Sequence, residues 1–120
     1  MNKYKKGKEG EDVACNYLER EGYLVIERNY RSKRGEIDII ARDGNVIVFT
    51  EVKSWKTIPV SEAEFSINTM KKRRMIKSAE QYMFENSDKF SNFDIRFDFL
   101  FVNAATNSIT HSKNIIMESP

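Results

Sequence analysis

Residues 35–55 read GEIDIIARDGNVIVFTEVKSW, and their alternation decides most of the architecture. Residues 36–41 (EIDIIA) and 46–53 (VIVFTEVK) both read as strands. Asp43-Gly44-Asn45 between them is the strongest hairpin signal in the chain. The run 46–49 (VIVF) is apolar at every position, the pattern of a strand covered on both faces. The same strand continues into Glu51 and Lys53, which share a face because side chains alternate with period two. If Asp43-Gly44 make the turn, Asp38 lies opposite Phe49 and diagonal to Glu51. If Gly44-Asn45 make it, Asp38 lies directly opposite Glu51. Both registers gather Asp38, Glu51 and Lys53 on one face, with opposed Cβ atoms about 5 Å apart. A three-residue loop would separate them.

Upstream, residues 8–21 read as a helix: Val13, Ala14, Tyr17 and Leu18 recur at helical spacing, and Gly22 supplies the stop. Residues 23–30 (YLVIERNY) read as a strand. Downstream, Asn68 or Thr69 caps a helix running to about Asn86, with Met75, Ile76, Ala79, Tyr82 and Met83 on its apolar face. Residues 93–104 and about 108–117 are strand-like and form a hairpin around Thr106-Asn107. The expected order is α-β-β-β-α-β-β, an α/β fold with a mixed central sheet flanked by helices. No repeat, low-complexity tract or linker divides the 120 residues, so a single domain is expected.

Composition narrows the function. The net charge is only +2, so any affinity for nucleic acid must come from local clusters. One cysteine, Cys15, permits neither an internal disulfide nor a thiolate zinc cage. One histidine, His111, excludes a His-pair metal site, and it reads as an exposed strand residue. No apolar run approaches the ~20 residues of a membrane helix. No apolar stretch follows the basic start, so a cytoplasmic protein is expected.

Asp38 and Glu51 form a carboxylate pair that is costly to hold ionised and half-buried without a cation. A hard divalent ion such as Mg²⁺ or Mn²⁺ suits them, and Lys53 beside it could orient or deprotonate an attacking water. That constellation fits phosphodiester hydrolysis. The competing interpretation is a surface ion pair between Glu51 and Lys53, with Asp38 marking a strand end. Glu11, at the edge of the first helix's apolar stripe, reads by itself as a solvated acid favoured at a helix N-terminus.

Basic residues cluster in two places. Residues 71–77 (KKRRMIK) carry five positive charges and no acid. Lys71, Lys72, Arg73 and Arg74 are candidate phosphate contacts, because Met75 and Ile76 pin the opposite side of the helix to the core. Arg28, Arg31, Lys33 and Arg34 immediately precede the GEID segment and are candidates to clamp a backbone there. Nothing in the chain suggests base-specific readout, so DNA shape or branching is the expected feature recognised.

Taken in order, G7-K-E-G-E-D-V-A14, Y17-L18, G22-Y23, R28-N-Y-R31, G35-E-I-D-I-I-A-R-D-G44, V48-F-T-E-V-K53, K71-K-R-R74 and R96-F-D98 resemble the YraN-like family. That family belongs to the Holliday-junction-resolvase-like branch of the restriction-endonuclease-like PD-(D/E)xK nucleases. The resemblance spans about Gly7 to Val102. It implies a restriction-endonuclease-like α-β-β-β-α-β core. It also implies that Asp38 and Glu51 hold the metal, that Lys53 is the catalytic lysine, and that Glu11 is the acidic residue of the first helix. One departure is Trp55, where family members often carry an arginine. The expected function is a Mg²⁺- or Mn²⁺-dependent DNA endonuclease, with a two-fold dimer attractive because a resolvase cuts two strands. The alternatives are a non-catalytic nucleic-acid-binding module on the same fold and a protein-interaction domain with incidental charges.

Overall fold

The computed structural model describes residues 3–55 and 69–115, with side chains described for residues 9–54 and 69–115. Helix α1 (Lys3–Arg20) begins five residues earlier than the apolar periodicity marks. Its end follows the sequence. Gly22 adopts φ +91°, Tyr23 N–H donates to Leu18 O at 2.9 Å, and Gly22 N–H donates to Glu19 O at 3.1 Å. This is a Schellman closure, and glycine supplies the left-handed residue it needs.

Strands β1 (Leu24–Ser32), β2 (Gly35–Asp43) and β3 (Val46–Trp55) form an antiparallel meander. Helix α2 (Thr69–Glu85) lies between β3 and β4 (Asp94–Asn103), which pairs parallel to β3. Strand β5 (Ile109–Ser112) returns antiparallel to β4. The result is one mixed five-stranded sheet in sequential order, flanked by helices. A one-turn helix, α3 (Ser87–Phe90), has no periodic signal; it is placed by Phe90, which packs on Tyr82 and Phe93.

The apolar run 46–49 is covered on both sides, as its pattern demands. Val48, Ile39, Ala41, Leu100 and Val102 meet Ala14, Cys15 and Leu18 of α1. Ile47, Phe49, Ile37, Ile40 and Phe97 meet Met75, Ala79 and Tyr82 of α2. Each fully buried Leu, Ile or Phe stabilises the fold by about 1.5–3 kcal/mol, so these two layers hold the helices on the sheet. Asp43 pairs with Val46 across a two-residue Gly44-Asn45 turn, with Gly44 at φ +61°. A positive φ at the first central residue is what a II′ hairpin requires. Of the two registers the sequence allowed, this is the one that sets Asp38 against Glu51.

Of the expected strand over 108–117, Ile109–Ser112 form β5, residues 113–115 do not, and 116–117 lie outside the described residues. Asn114 turns at φ +55°, its N–H is captured by the Asp98 carboxylate at 3.0 Å, and Ile115 N–H then donates to Phe97 O at 2.7 Å. The chain therefore leaves the sheet edge after Ser112.

Candidate acidic site at the splayed strands

Beyond Ile39 and Thr50 the β2–β3 ladder stops, whereas β3 stays paired with β4 as far as Trp55 and Asn103. β2 instead continues with β1, through Tyr30–Ile37 and Ser32–Gly35. The sheet thus parts into two arms, and Asp38 and Glu51 stand where they separate. Asp38 Oδ2 accepts the Val52 N–H at 2.9 Å, so a side chain takes over where backbone pairing ends.

Local irregularity aims the groups. Ile37 and Ile40 both join the core under α2 although three residues apart, so strict alternation breaks around Asp38. On β1, Arg28 reaches α1 while Tyr30 packs under α2, and Asn29 between them sits at φ +54°. On α1, a Cβ at Gly10 would lie 2.9 Å from Ser54 Cβ. Glycine there lets the helix approach β3 closely, and it brings the adjacent Glu11 to the site.

The three acids are electrostatically joined. Burial raises the Asp38 carboxyl, the charge of Glu51 raises it further, and together they bring it to about 7 against the Val52 N–H and Lys71. Glu11 is also raised, first by burial and then by Asp38, with Arg28 and Asn29 opposing. Glu51 is 4% exposed, and Lys71 Nζ lies 2.9 Å from its Oε1. Arg28 bridges Glu11 at 3.3 Å and Asp12 at 2.8 Å. Lys53 is half-buried one strand repeat beyond Glu51, on the same face of β3.

The sequence candidates therefore divide. Asp38 and Glu51 are brought together, and Glu11 feels the charge of Asp38 while it pairs with Arg28. Arg28 and Lys71, read as phosphate contacts, are the counter-ions of this acidic group. Arg31, Lys33 and Arg34 are exposed at the β1–β2 tip. That tip rests on α2: Ser32 Oγ meets Ser78 Oγ at 2.7 Å, Lys33 N–H donates to Gln81 Oε1 at 3.3 Å, and a Cβ at Gly35 would lie 3.4 Å from Arg74 Cβ. Two basic runs forty residues apart in sequence thereby meet where Arg74 approaches Gly35; Arg73 and Arg74 are exposed and Lys72 is half-buried. The side chain of Trp55 lies outside the described residues.

Asp38 and Glu51 offer the hard oxygen donors that Mg²⁺ or Mn²⁺ takes, with water completing the shell. A carboxyl raised toward neutrality beside a second carboxylate is chemically suited to exchange a proton for such an ion. Among the described residues no group of three or more His, Cys, Asp or Glu side chains is assembled as a metal nest. Glu11, turned to Arg28, would serve as a neighbour to the pair.

A second polar cluster corrects the sequence expectation for His111. Its side chain is 5% exposed, and its Nε2 lies 2.7 Å from Asp98 Oδ2. Arg96 binds both oxygens of Asp98 at 2.9 Å and reaches Tyr23 Oη at 2.7 Å, while Tyr17 Oη lies 3.0 Å from His111 Nδ1. The Arg96–Asp98 spacing on one strand face was the available signal; the closure by Tyr17 and His111 is long-range and has no local signature.

The molecule is thus an α/β protein with a five-stranded mixed sheet and an acidic, cation-lined opening between parted strands. A family model described as "Uncharacterised protein family UPF0102" matches residues 10–102, and the chain belongs to that family, the YraN-like family it resembles by motif. It is 44% identical over 109 residues to a UPF0102 protein of Persephonella marina, covering 91% of this chain and 90% of that one. A UPF0102 protein of a Sulfurihydrogenibium species is 46% identical over 114 residues, covering 95% and 96%. One from Clostridium perfringens is 36% identical over 121 residues, covering 99% and 98%. No helix among the described residues is long and apolar enough to cross a membrane.

Proposed function

We propose that this chain is a metal-dependent DNA endonuclease with a restriction-endonuclease-like core, acting on branched or otherwise non-standard DNA. The observation that carries the reading is the Asp38–Glu51 pair at the point where β2 leaves β3. The half-buried Asp38 carboxyl there is raised to about 7 by burial and by its neighbour Glu51. Asp38 and Glu51 would hold Mg²⁺ or Mn²⁺, with Glu11 beside them. When bound, the ion neutralises charge on the phosphate under attack and acidifies a water. Lys53 orients the attacking water, and its ammonium faces the same phosphate. Lys33 and Arg34 at the β1–β2 tip and Arg73 and Arg74 on α2 grip the sugar-phosphate backbone, with Arg31 and Lys72 flanking them.

The test is cleavage of branched, flapped and single-stranded DNA in Mg²⁺ or Mn²⁺. Cleavage that disappears in Asp38→Ala and Lys53→Ala is expected. Cleavage unchanged in both variants, or absent from every substrate, overturns the reading.

A second reading, a binding module without catalysis, is favoured by the pairing of Glu51 with Lys71 and of Glu11 with Arg28. It requires salt-sensitive DNA binding that survives Asp38→Ala and Glu51→Ala. Replacing Arg73 and Arg74 together should lower the slope of log affinity against log salt by about 2 under either reading.

A further inference from the structure

Glu51 is buried, and the cation beside it comes from the helix that bears the densest basic run. Lys71 Nζ lies 2.9 Å from Glu51 Oε1, yet its side chain is 37% exposed, so the ammonium spans the boundary between site and solvent. A lysine holds a carboxylate as a point charge on a flexible stem, and it can swing away without breaking a forked pair. A divalent ion on Glu51 would meet that ammonium at close range, where like charges repel strongly because water is scarce.

The alternative partner for Lys71 lies along the same ridge. Arg74 is one helical turn on, at spacing i+3, and its Cβ lies close to Gly35 at the Lys33-Arg34 tip. Lys71 at the acidic pair and Arg74 at the Lys33-Arg34 tip therefore mark a line of cations along α2. A polyanion lying along that line offers Lys71 a phosphate in water in place of a buried carboxylate.

We propose that Lys71 is a tethered counter-cation that competes with a divalent ion for Glu51 and is drawn off by nucleic acid on α2, so that metal and DNA bind cooperatively. The proposal rests on the metal-site reading above and adds its regulation. Because coupling is reciprocal, metal binding at Glu51 also favours the contact of Lys71 with phosphate.

The experiment is calorimetric titration of Mn²⁺ at pH 8 into the wild-type chain, Lys71→Met, and Lys77→Met as a control on the same helix, where Lys77 pairs with Glu80. Lys71→Met should bind Mn²⁺ about tenfold more tightly than wild type, with Lys77→Met unchanged. Lys71→Gln serves as a second uncharged variant, and circular dichroism checks that each is folded. In the reciprocal arm, affinity for a short phosphorothioate duplex is read by fluorescence anisotropy with and without Mn²⁺, with Asp38→Asn removing the contribution of ions on the duplex itself. The gain on adding Mn²⁺ should be larger in wild type than in Lys71→Met. If wild type binds Mn²⁺ and both uncharged variants bind equally or more weakly, the competition is overturned while the metal site stands. Equal gains in the reciprocal arm overturn the cooperativity. If no variant binds Mn²⁺ at millimolar concentration, site and competition fall together.

Discussion

A buried and a half-buried aspartate in this molecule have opposite fates. Asp98 is fully enclosed, and its carboxylate receives both arms of Arg96, the His111 ring and the Asn114 N–H. Burial acts to raise it, but the hydrogen bonds from His111 and Arg96 prevail and hold it below the usual carboxylate range. Asp38 receives one backbone N–H and faces Glu51, so burial and the neighbouring charge drive it up. The same residue type is thus a structural anchor where donors converge and a reactive group where they do not. Incomplete neutralisation separates the candidate site from the rest of the interior.

The largest effect should come from breaking the satisfied cluster. Asp98→Asn strands Arg96 beside a neutral amide and should cost about 3–5 kcal/mol of stability. Asp38→Asn relieves a repulsion and should leave stability unchanged or raised while abolishing Mn²⁺ binding. Urea unfolding of the two variants at pH 8 measures the contrast. Equal losses would show that Asp38 is as well compensated as Asp98.

The two aspartates should also bend the stability profile in opposite directions. Asp38 has a folded value of about 7, above the unfolded value of about 3.9. Its contribution is therefore complete below about pH 4 and is lost as pH rises through about 7. Asp98 is lowered in the fold. Its contribution is present above about pH 4 and is lost as pH falls through its folded value. Stability should accordingly peak between these limits and fall by roughly 1–2 kcal/mol from pH 5 to pH 8, allowing for water at the half-buried carboxyl. Glu11 adds in the direction of Asp38 because it too is raised. Asp38→Asn should flatten most of that alkaline decline. A wild-type profile flat from pH 5 to pH 8 would remove the basis for treating Asp38 as a strained acid.

Much of this contrast was legible in the sequence, but unevenly. The apolar run at 46–49, the Gly44-Asn45 turn and the alternation at Glu51 and Lys53 placed three members of the acidic region, because hairpin register is a local property. The sequence left two registers open, and only the packed sheet selects one. The roles of Arg28 and Lys71 were not readable, since a charge run does not say which cation turns inward; that depends on which helix face the core claims. His111 was misjudged for the same reason. Its burial is imposed by Tyr17, 94 residues away in the chain, and by a strand too short to announce a face.

The smallest expected effect tests whether the satisfied cluster behaves as one unit. With His111 Nε2–H donating to the Asp98 carboxylate, a neutral ring leaves Nδ1 to accept the Tyr17 hydroxyl at 3.0 Å. Tyr17→Phe keeps the ring and its edge contact with His111 but removes that hydroxyl. A single neutral hydrogen bond at a partly buried site contributes about 0.5–1.5 kcal/mol. The loss in urea unfolding should fall in that range, because Arg96 and the Asn114 N–H still hold Asp98. A double-mutant cycle of Tyr17→Phe with Asp98→Asn then decides the matter. Near-additive losses mean that the cluster is a chain of separate bonds ending at Tyr17. A loss for Tyr17→Phe alone approaching that of Asp98→Asn means that the hydroxyl fixes the imidazole that hydrogen-bonds Asp98, and the boundary between the two regions would then lie at helix α1 rather than at the sheet.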